Sequence, residues 1–239
     1  MTDFYFLFFA AYFAAIVSGL AGFGGALLLL PVLIETVGIN HAVPLLSIIQ
    51  LTGNFARIGF NFDVIQWKPV GFFLLGAIPS SILGALSFIA LSHDWAIRCI
   101  GFAILFFVLF KFQSVVDIKT GPFVMVAGGM ITGFLSGIVG SAGPLGAAVF
   151  LSLGLPPAAY IASESLSALV IHSVKLITYH HYIMLDSSIW VLAVLMGLAV
   201  ILGTWTAKRV IDHIPRKLFE RGVALLLLLL SVSMIFQPW

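Results

Sequence analysis

The sequence predicts an all-α polytopic membrane protein: about eight transmembrane helices in two homologous four-span repeats, the first span of each repeat long and broken by glycine. Two observations carry most of this. Of 239 residues 62% are hydrophobic and only 8% charged, against about a quarter charged in a soluble domain. The second observation is an internal match at a constant offset of 118 residues, set out below.

A span needs roughly 20 apolar residues. Polar clusters divide the chain into candidates 4–34, 42–61, 69–91, 95–114, 122–154, 158–181, 188–207 and 217–236. Barrel strands would be shorter and would alternate, so these read as helices. The first and fifth are too long for one straight crossing, and their internal glycines predict a kink, a break or a partly re-entrant path. The N-terminus, Met1-Thr2-Asp3-Phe4, lacks the basic start of a secretory signal and reads as a retained first span. No soluble domain is expected on either side of the spans.

Ser18-Gly19-Leu20-Ala21-Gly22-Phe23-Gly24-Gly25 aligns with Ser136-Gly137-Ile138-Val139-Gly140-Ser141-Ala142-Gly143. The same offset pairs Leu27 with Leu145, Ser47 with Ser165 and Arg57 with Lys175. This divides one membrane domain into repeats 1–116 and 117–239. Four spans per half would make the repeats parallel, and a double crossing by each long segment would invert them; both are transporter architectures. Lys208, Arg209, Arg216, Lys217 and Arg221 form the densest basic loop, which predicts a cytoplasmic 208–221 loop with both termini outside. If each candidate crosses once, Arg98 joins that side, while Arg57, Lys68, Lys111, Lys119 and Lys175 fall on the other, two of them within spans.

The glycine clusters are the first candidate site. A helix that restarts inside the membrane presents uncovered amides and its positive dipole end, which suits an anion. Ser18, Gly22, Gly24 and Gly25 form one cluster, and Ser136, Gly140, Ser141 and Gly143 the other. Pro144 suits the first turn of a restarting helix. The competing reading is close helix packing through small residues, which is adopted for Gly71, Gly76, Gly84, Gly197 and Gly203. Valine at Gly25 or Gly143 is accordingly expected to abolish transport more completely than valine at Gly84 or Gly203, at comparable membrane abundance.

Polar residues within spans are the second. Gln50, Asn54 and Arg57 share a helix face, and Glu164, His172 and Lys175 nearly do. Charged groups in hydrocarbon face a cavity, a partner or the interface. Arg57 and Lys175 are candidates to hold an anion, with snorkelling to the headgroups the alternative. Ser165 adds a hydroxyl. Glu164 and His172 sit deeper and suit proton coupling; a structural ion pair of Glu164 with Lys175 or with a partner elsewhere competes. His180-His181 make poor joint metal ligands, and the single cysteine, Cys99, excludes an internal disulfide or a CxxC pair. No metal or cofactor is expected. Scattered basic residues give no nucleic-acid footprint, and no HExxH, GxSxG, P-loop or nucleotide fingerprint occurs.

Ser18-Gly19-Leu20-Ala21-Gly22-Phe23-Gly24-Gly25 followed by Pro31-Val32-Leu33 resembles the opening motif of the sulfite exporter TauE/SafE family. The run Gly133-Phe134-Leu135-Ser136-Gly137-Ile138-Val139-Gly140 is similar to that family's repeat of it. The resemblance covers almost the whole chain and implies transport of small, often sulfur-containing anions. Two features depart from the family pattern. Ala26 ends the first glycine run, and Ser141-Ala142-Gly143-Pro144 stands in the second. Glu164-Ser165 occupies the place of a threonine-serine pair, and a carboxylate there repels an anion unless protonated or paired.

The expectation is therefore a proton-coupled secondary transporter, an exporter of sulfite, a sulfonate or another small anion, multi-pass in the cytoplasmic membrane. Its partners would be the small anion and the lipid bilayer, with homo-oligomerisation open. The alternatives are a passive anion channel, a membrane assembly or maturation factor without a transported substrate and, third, an intramembrane enzyme, for which no complete nucleophile–base set is present.

Overall fold

The structure is a computed structural model that describes residues 2–23, 25–37, 39–87, 121–139, 142–179, 187–211 and 213–236, with isolated positions between 88 and 120. The candidate span 95–114 lies outside the described residues apart from those positions, as do His180, His181 and Asp212. Every regular element among the described residues is helical. In order these are α1 (Thr2–Ala21), α2 (Gly25–Val37), α3 (Ile39–Phe60), a 3-10 turn (Phe62–Val64), α4 (Trp67–Ser87), α5 (Pro122–Val139), α6 (Gly143–Leu151), α7 (Pro157–Tyr179), α8 (Ser187–Ile211) and α9 (Arg216–Phe236).

Both long apolar segments divide. The first stops at Ala21, where Gly22 takes φ +84°, a left-handed conformation closed to most side chains. The second stops at Val139 and restarts at Gly143, with Pro144 in the first turn of α6. After each break the chain turns back. A Cβ on Gly25 would lie 3.0 Å from Ser18 Cβ and 3.5 Å from the Ala14 carbonyl oxygen; in a continuous helix, positions seven apart are separated by about 10 Å along the axis. In the second half Gly146 faces Thr132, and Gly128, further back along α5, faces Val149, further on along α6. That is the register of an antiparallel hairpin. α2 has 13 residues and α6 nine, roughly 20 and 14 Å, both short of the ~30 Å hydrocarbon core.

Among the described residues three helices are long and apolar enough to cross a bilayer: Trp67–Ser87, Pro157–Thr178 and Ile189–Ile211. Tyr5–Ala21 and Pro122–Ile138 are shorter apolar helices. The outward faces of α1, α4 and α8 expose residues such as Phe6, Phe9, Phe13, Leu75, Leu83, Val191 and Val194. An aqueous protein does not expose so much contiguous apolar surface, and lipid does not penalise it. These features describe a polytopic membrane protein.

The halves interlock. α4 packs along α5 through glycines with no room for a side chain: Gly129 against the Phe73 carbonyl, Gly133 against that of Ala77, Gly137 against that of Ser81, and Gly84 against that of Phe134. Residue numbers rise together on both helices, so the pair is parallel, and the chain leaves α4 at one end of the pair and enters α5 at the other. α1 packs along α8 in the same way, with Gly203 against Tyr12 and Ala15 and, further on, Gly19 against Thr204 and Ala207. Gly71, by contrast, is exposed with nothing within 4 Å of its missing Cβ. It is not the packing glycine expected from the sequence.

Tyr160, near the start of α7, marks where several elements meet. Its ring lies against Gly22, at the end of α1, and meets Phe219 of α9 edge-on at 5.4 Å. Just past α3 and the 3-10 turn, the Gln66 N–H donates to Ser163 Oγ at 2.9 Å. α7 therefore begins where α1, α3 and α8 finish.

Candidate functional site

Arg57 is 4% exposed, near the C-terminal end of α3. Its Nε donates to Ser165 Oγ of α7 at 2.8 Å, one terminal nitrogen donates to Ser18 Oγ of α1 at 2.5 Å, and the other to Asn54 Oδ1 one turn back on α3. The Arg57 carbonyl accepts from Asn61 Nδ2 at 3.0 Å. All three guanidinium bonds go to neutral oxygens, and Glu164, next to Ser165 on α7, lies within electrostatic reach of the charge. A guanidinium has five N–H groups; two carry no bond among the described residues. A small cavity of about 10 Å³ adjoins this group, lined by Ser18, Gly25, Gln50, Gly53, Arg57 and Val200 among others.

Lys175 is fully buried near the C-terminal end of α7, and its Nζ donates to the Ser136 hydroxyl at 3.1 Å and the Ser136 carbonyl at 3.3 Å. Neither Arg57 nor Lys175 snorkels; both side chains end inside the protein. Each bonds the serine 39 residues before it, at the end of the helix that precedes the glycine break. A second cavity, of about 20 Å³, lies beside this pair. Its lining includes Ser136, Gly143, Ser167, Ala168 and Ile171, at the same offset from Ser18, Gly25, Ile49, Gln50 and Gly53 of the first cavity.

The second cavity also contains Thr132, Glu164 and His172. They are 3%, 4% and 7% exposed. Thr132 Oγ1, Glu164 Oε2 and His172 Nδ1 have no hydrogen-bond partner among the described residues. Buried polar atoms are ordinarily paired, and here three orphans share one cavity. α6 starts at Gly143 on its wall without a side-chain cap, so the positive end of that helix adds a favourable field for an anion.

The structure thus gathers Ser18, Gly25, Asn54, Arg57 and Ser165 in one place, and Ser136, Gly143, Glu164, His172 and Lys175 in another. Gly22 serves the turn after α1, against Tyr160. Gly24, Gly140 and Ser141 lie outside the described residues. Sequence reasoning missed Thr132 and Tyr160, whose hydroxyl is also buried without a partner among the described residues. Thr132 is one helical turn before Ser136, a spacing that was available as a signal. Nothing in the sequence marked Tyr160, since a tyrosine near a span end ordinarily reads as an interfacial anchor.

Two buried cations thus lie beside short helices that turn back inside an apolar bundle. The chain belongs to the sulfite exporter TauE/SafE family, whose model matches residues 7–234. This is a family of membrane transporters, not enzymes, that act on sulfur anions such as sulfite. No curated protein and no solved structure matched the chain.

Proposed function

We propose that the protein is a proton-coupled secondary transporter that exports a small sulfur-containing anion, sulfite or a sulfonate, across the cytoplasmic membrane. The observation that carries this reading is the pair of buried cations, each bonded to the serine of its own glycine break and each beside a cavity lined from matching positions. In this reading the halves 1–116 and 117–239 are inverted repeats. Helices α1 and α3 end where α7 begins, whereas α5 and α7, their counterparts, end together at the Ser136–Lys175 bond. Inverted repeats rocking about a central site give alternating access. Arg57 and Lys175 hold the anion, Ser18, Asn54, Ser136 and Ser165 orient it, and Glu164 and His172 carry the proton.

The test is flux of sulfite into proteoliposomes with and without an imposed pH gradient. Acceleration by the gradient is the expected result. An electrogenic flux indifferent to it would mean a channel, and no movement of any sulfur anion would leave the assembly-factor reading standing.

Inversion also sharpens the expected orientation. The turn between α3 and α4 then lies on the same side as the 208–221 loop, so Lys68 joins Lys208, Arg209, Lys217 and Arg221 instead of opposing them. That side is cytoplasmic by the positive-inside rule, with both termini outside. Single cysteines at Gln66 and Lys217, in a Cys99→Ser background, should both resist an impermeant thiol reagent in intact cells. Labelling of one but not the other would exclude the inverted arrangement.

A further inference from the structure

We infer that the second cavity selects an oxyanion that still carries an acidic O–H, hydrogen sulfite among the sulfur anions, and discriminates against anions that have none. The inference rests on the transport reading above and names the substrate's protonation state. Its basis is the unpartnered set of Thr132 Oγ1, Glu164 Oε2 and His172 Nδ1 in one cavity beside the start of α6. Thr132 supplies a donor, and the helix start supplies positive field. These would serve any anion. Glu164 would not, because a carboxylate facing an oxyanion repels it.

That repulsion vanishes if one proton lies between the two. A ligand bearing O–H donates it to Glu164 Oε2, giving a short charge-assisted hydrogen bond in place of two opposed charges. The proton balance is the same whether the hydrogen rests on ligand or carboxyl: site and ligand together hold one, and the ligand brought it. An anion without O–H must instead draw a proton from solvent onto Glu164 before it can bind. The carboxylate is therefore a repulsive element that specifies by exclusion. A site built around a hydrogen bond rejects the analogue that cannot make it far more strongly than an apolar pocket rejects a missing methylene.

Methylphosphonate and methanesulfonate make the test sharp. They are nearly isosteric, and just below neutral pH the first is mainly a monoanion with one O–H while the second has none. Proteoliposome uptake of each, alongside hydrogen sulfite, is expected to favour the O–H-bearing anions over methanesulfonate by at least about tenfold. Glu164→Gln should bring that ratio close to one by admitting methanesulfonate, because the carboxamide donates N–H to an anion and still accepts from an O–H. Thr132→Val, which removes a donor both ligands use, should slow both and leave the ratio unchanged. A wild-type protein that moves the isosteric pair equally overturns the inference without any variant, and leaves the transport reading intact if hydrogen sulfite moves. A Glu164→Gln protein that keeps the wild-type ratio overturns it too. Failure of the wild type to move any of the three anions removes the transport reading and this one with it.

Discussion

Gly84→Ala is expected to leave little folded protein in the membrane. A Cβ at position 84 would overlap the Phe134 carbonyl group on α5, which is backbone and cannot swing aside as a side chain could. The seam cannot absorb the strain elsewhere, because Gly76, Gly129, Gly133 and Gly137 bring α4 and α5 equally close along its length. Apolar burial does not drive helices together in lipid as it does in water, so close packing of small residues is much of what holds such a pair. Overpacking a tight interface costs about 1–3 kcal/mol or more, a large share of the 5–15 kcal/mol typical of a whole protein. Gly71→Ala on the same helix is the control: its Cβ meets nothing, and abundance should stay at wild type. Fluorescence-detected size exclusion after mild solubilisation measures both. A monodisperse Gly84→Ala protein at normal yield would mean that the two helices can separate without penalty. The comparison of valine at Gly84 with valine at Gly25 has therefore to be made at matched abundance of folded protein. Gly25 meets a serine side chain, and Gly84 meets backbone.

The distinction between Gly71 and Gly84 shows where the sequence stops informing. Both are glycines in one apolar helix, and only the position of α5 separates an open site from a collision. Span positions were legible because hydropathy is a local property: the candidates at 42–61, 69–91 and 158–181 lie within a few residues of α3, α4 and α7. The breaks were legible because glycine and proline act on the backbone directly. The pairing of Arg57 with Ser18, and of Lys175 with Ser136, was half legible. The offset marked the four residues as related, but that each cation reaches back to its own serine depends on α1 and α3, or α5 and α7, ending side by side. The choice between parallel and inverted halves was not legible at all. It depends on whether the chain folds back after each break, and a three-residue gap fits either outcome. Thr132 escaped notice because its significance is a missing partner, which exists only in three dimensions.

Arg57→Met is expected to abolish transport while leaving the melting temperature within a few degrees of wild type. Removing a buried charge ordinarily destabilises when its counter-charge is left behind. The three acceptors of Arg57 are neutral: Ser18, Asn54 and Ser165. Loss of the guanidinium relieves the cost of holding that charge away from water, and the charge of Glu164, which interacts with Arg57 electrostatically without a hydrogen bond, is the only one it leaves behind among the described residues. The two serine hydroxyls can turn back to carbonyls of their own helices, so Asn54 Oδ1 is the main acceptor left stranded, at about 1–3 kcal/mol. Methionine fills most of the vacated volume, which alanine would not. The terms oppose one another, and the net change in stability is small. Function has no such compensation. A charge-assisted hydrogen bond is worth roughly 1.5–3 kcal/mol, so each bond to the anion that is lost lowers affinity by about one to two decades. Arg57→Lys should fall between, since a single ammonium cannot span Ser18, Asn54 and Ser165 as the planar fork does. Lys175→Met should mirror Arg57→Met if the two cations act in alternation on one anion, and the double variant should then be no worse than either single, the non-additivity expected of residues that serve one step. Proteoliposome flux and thermal melting on the same preparations decide the matter. An Arg57→Met protein that melts normally and transports normally would make the buried guanidinium a strut between α1, α3 and α7, with the anion held elsewhere.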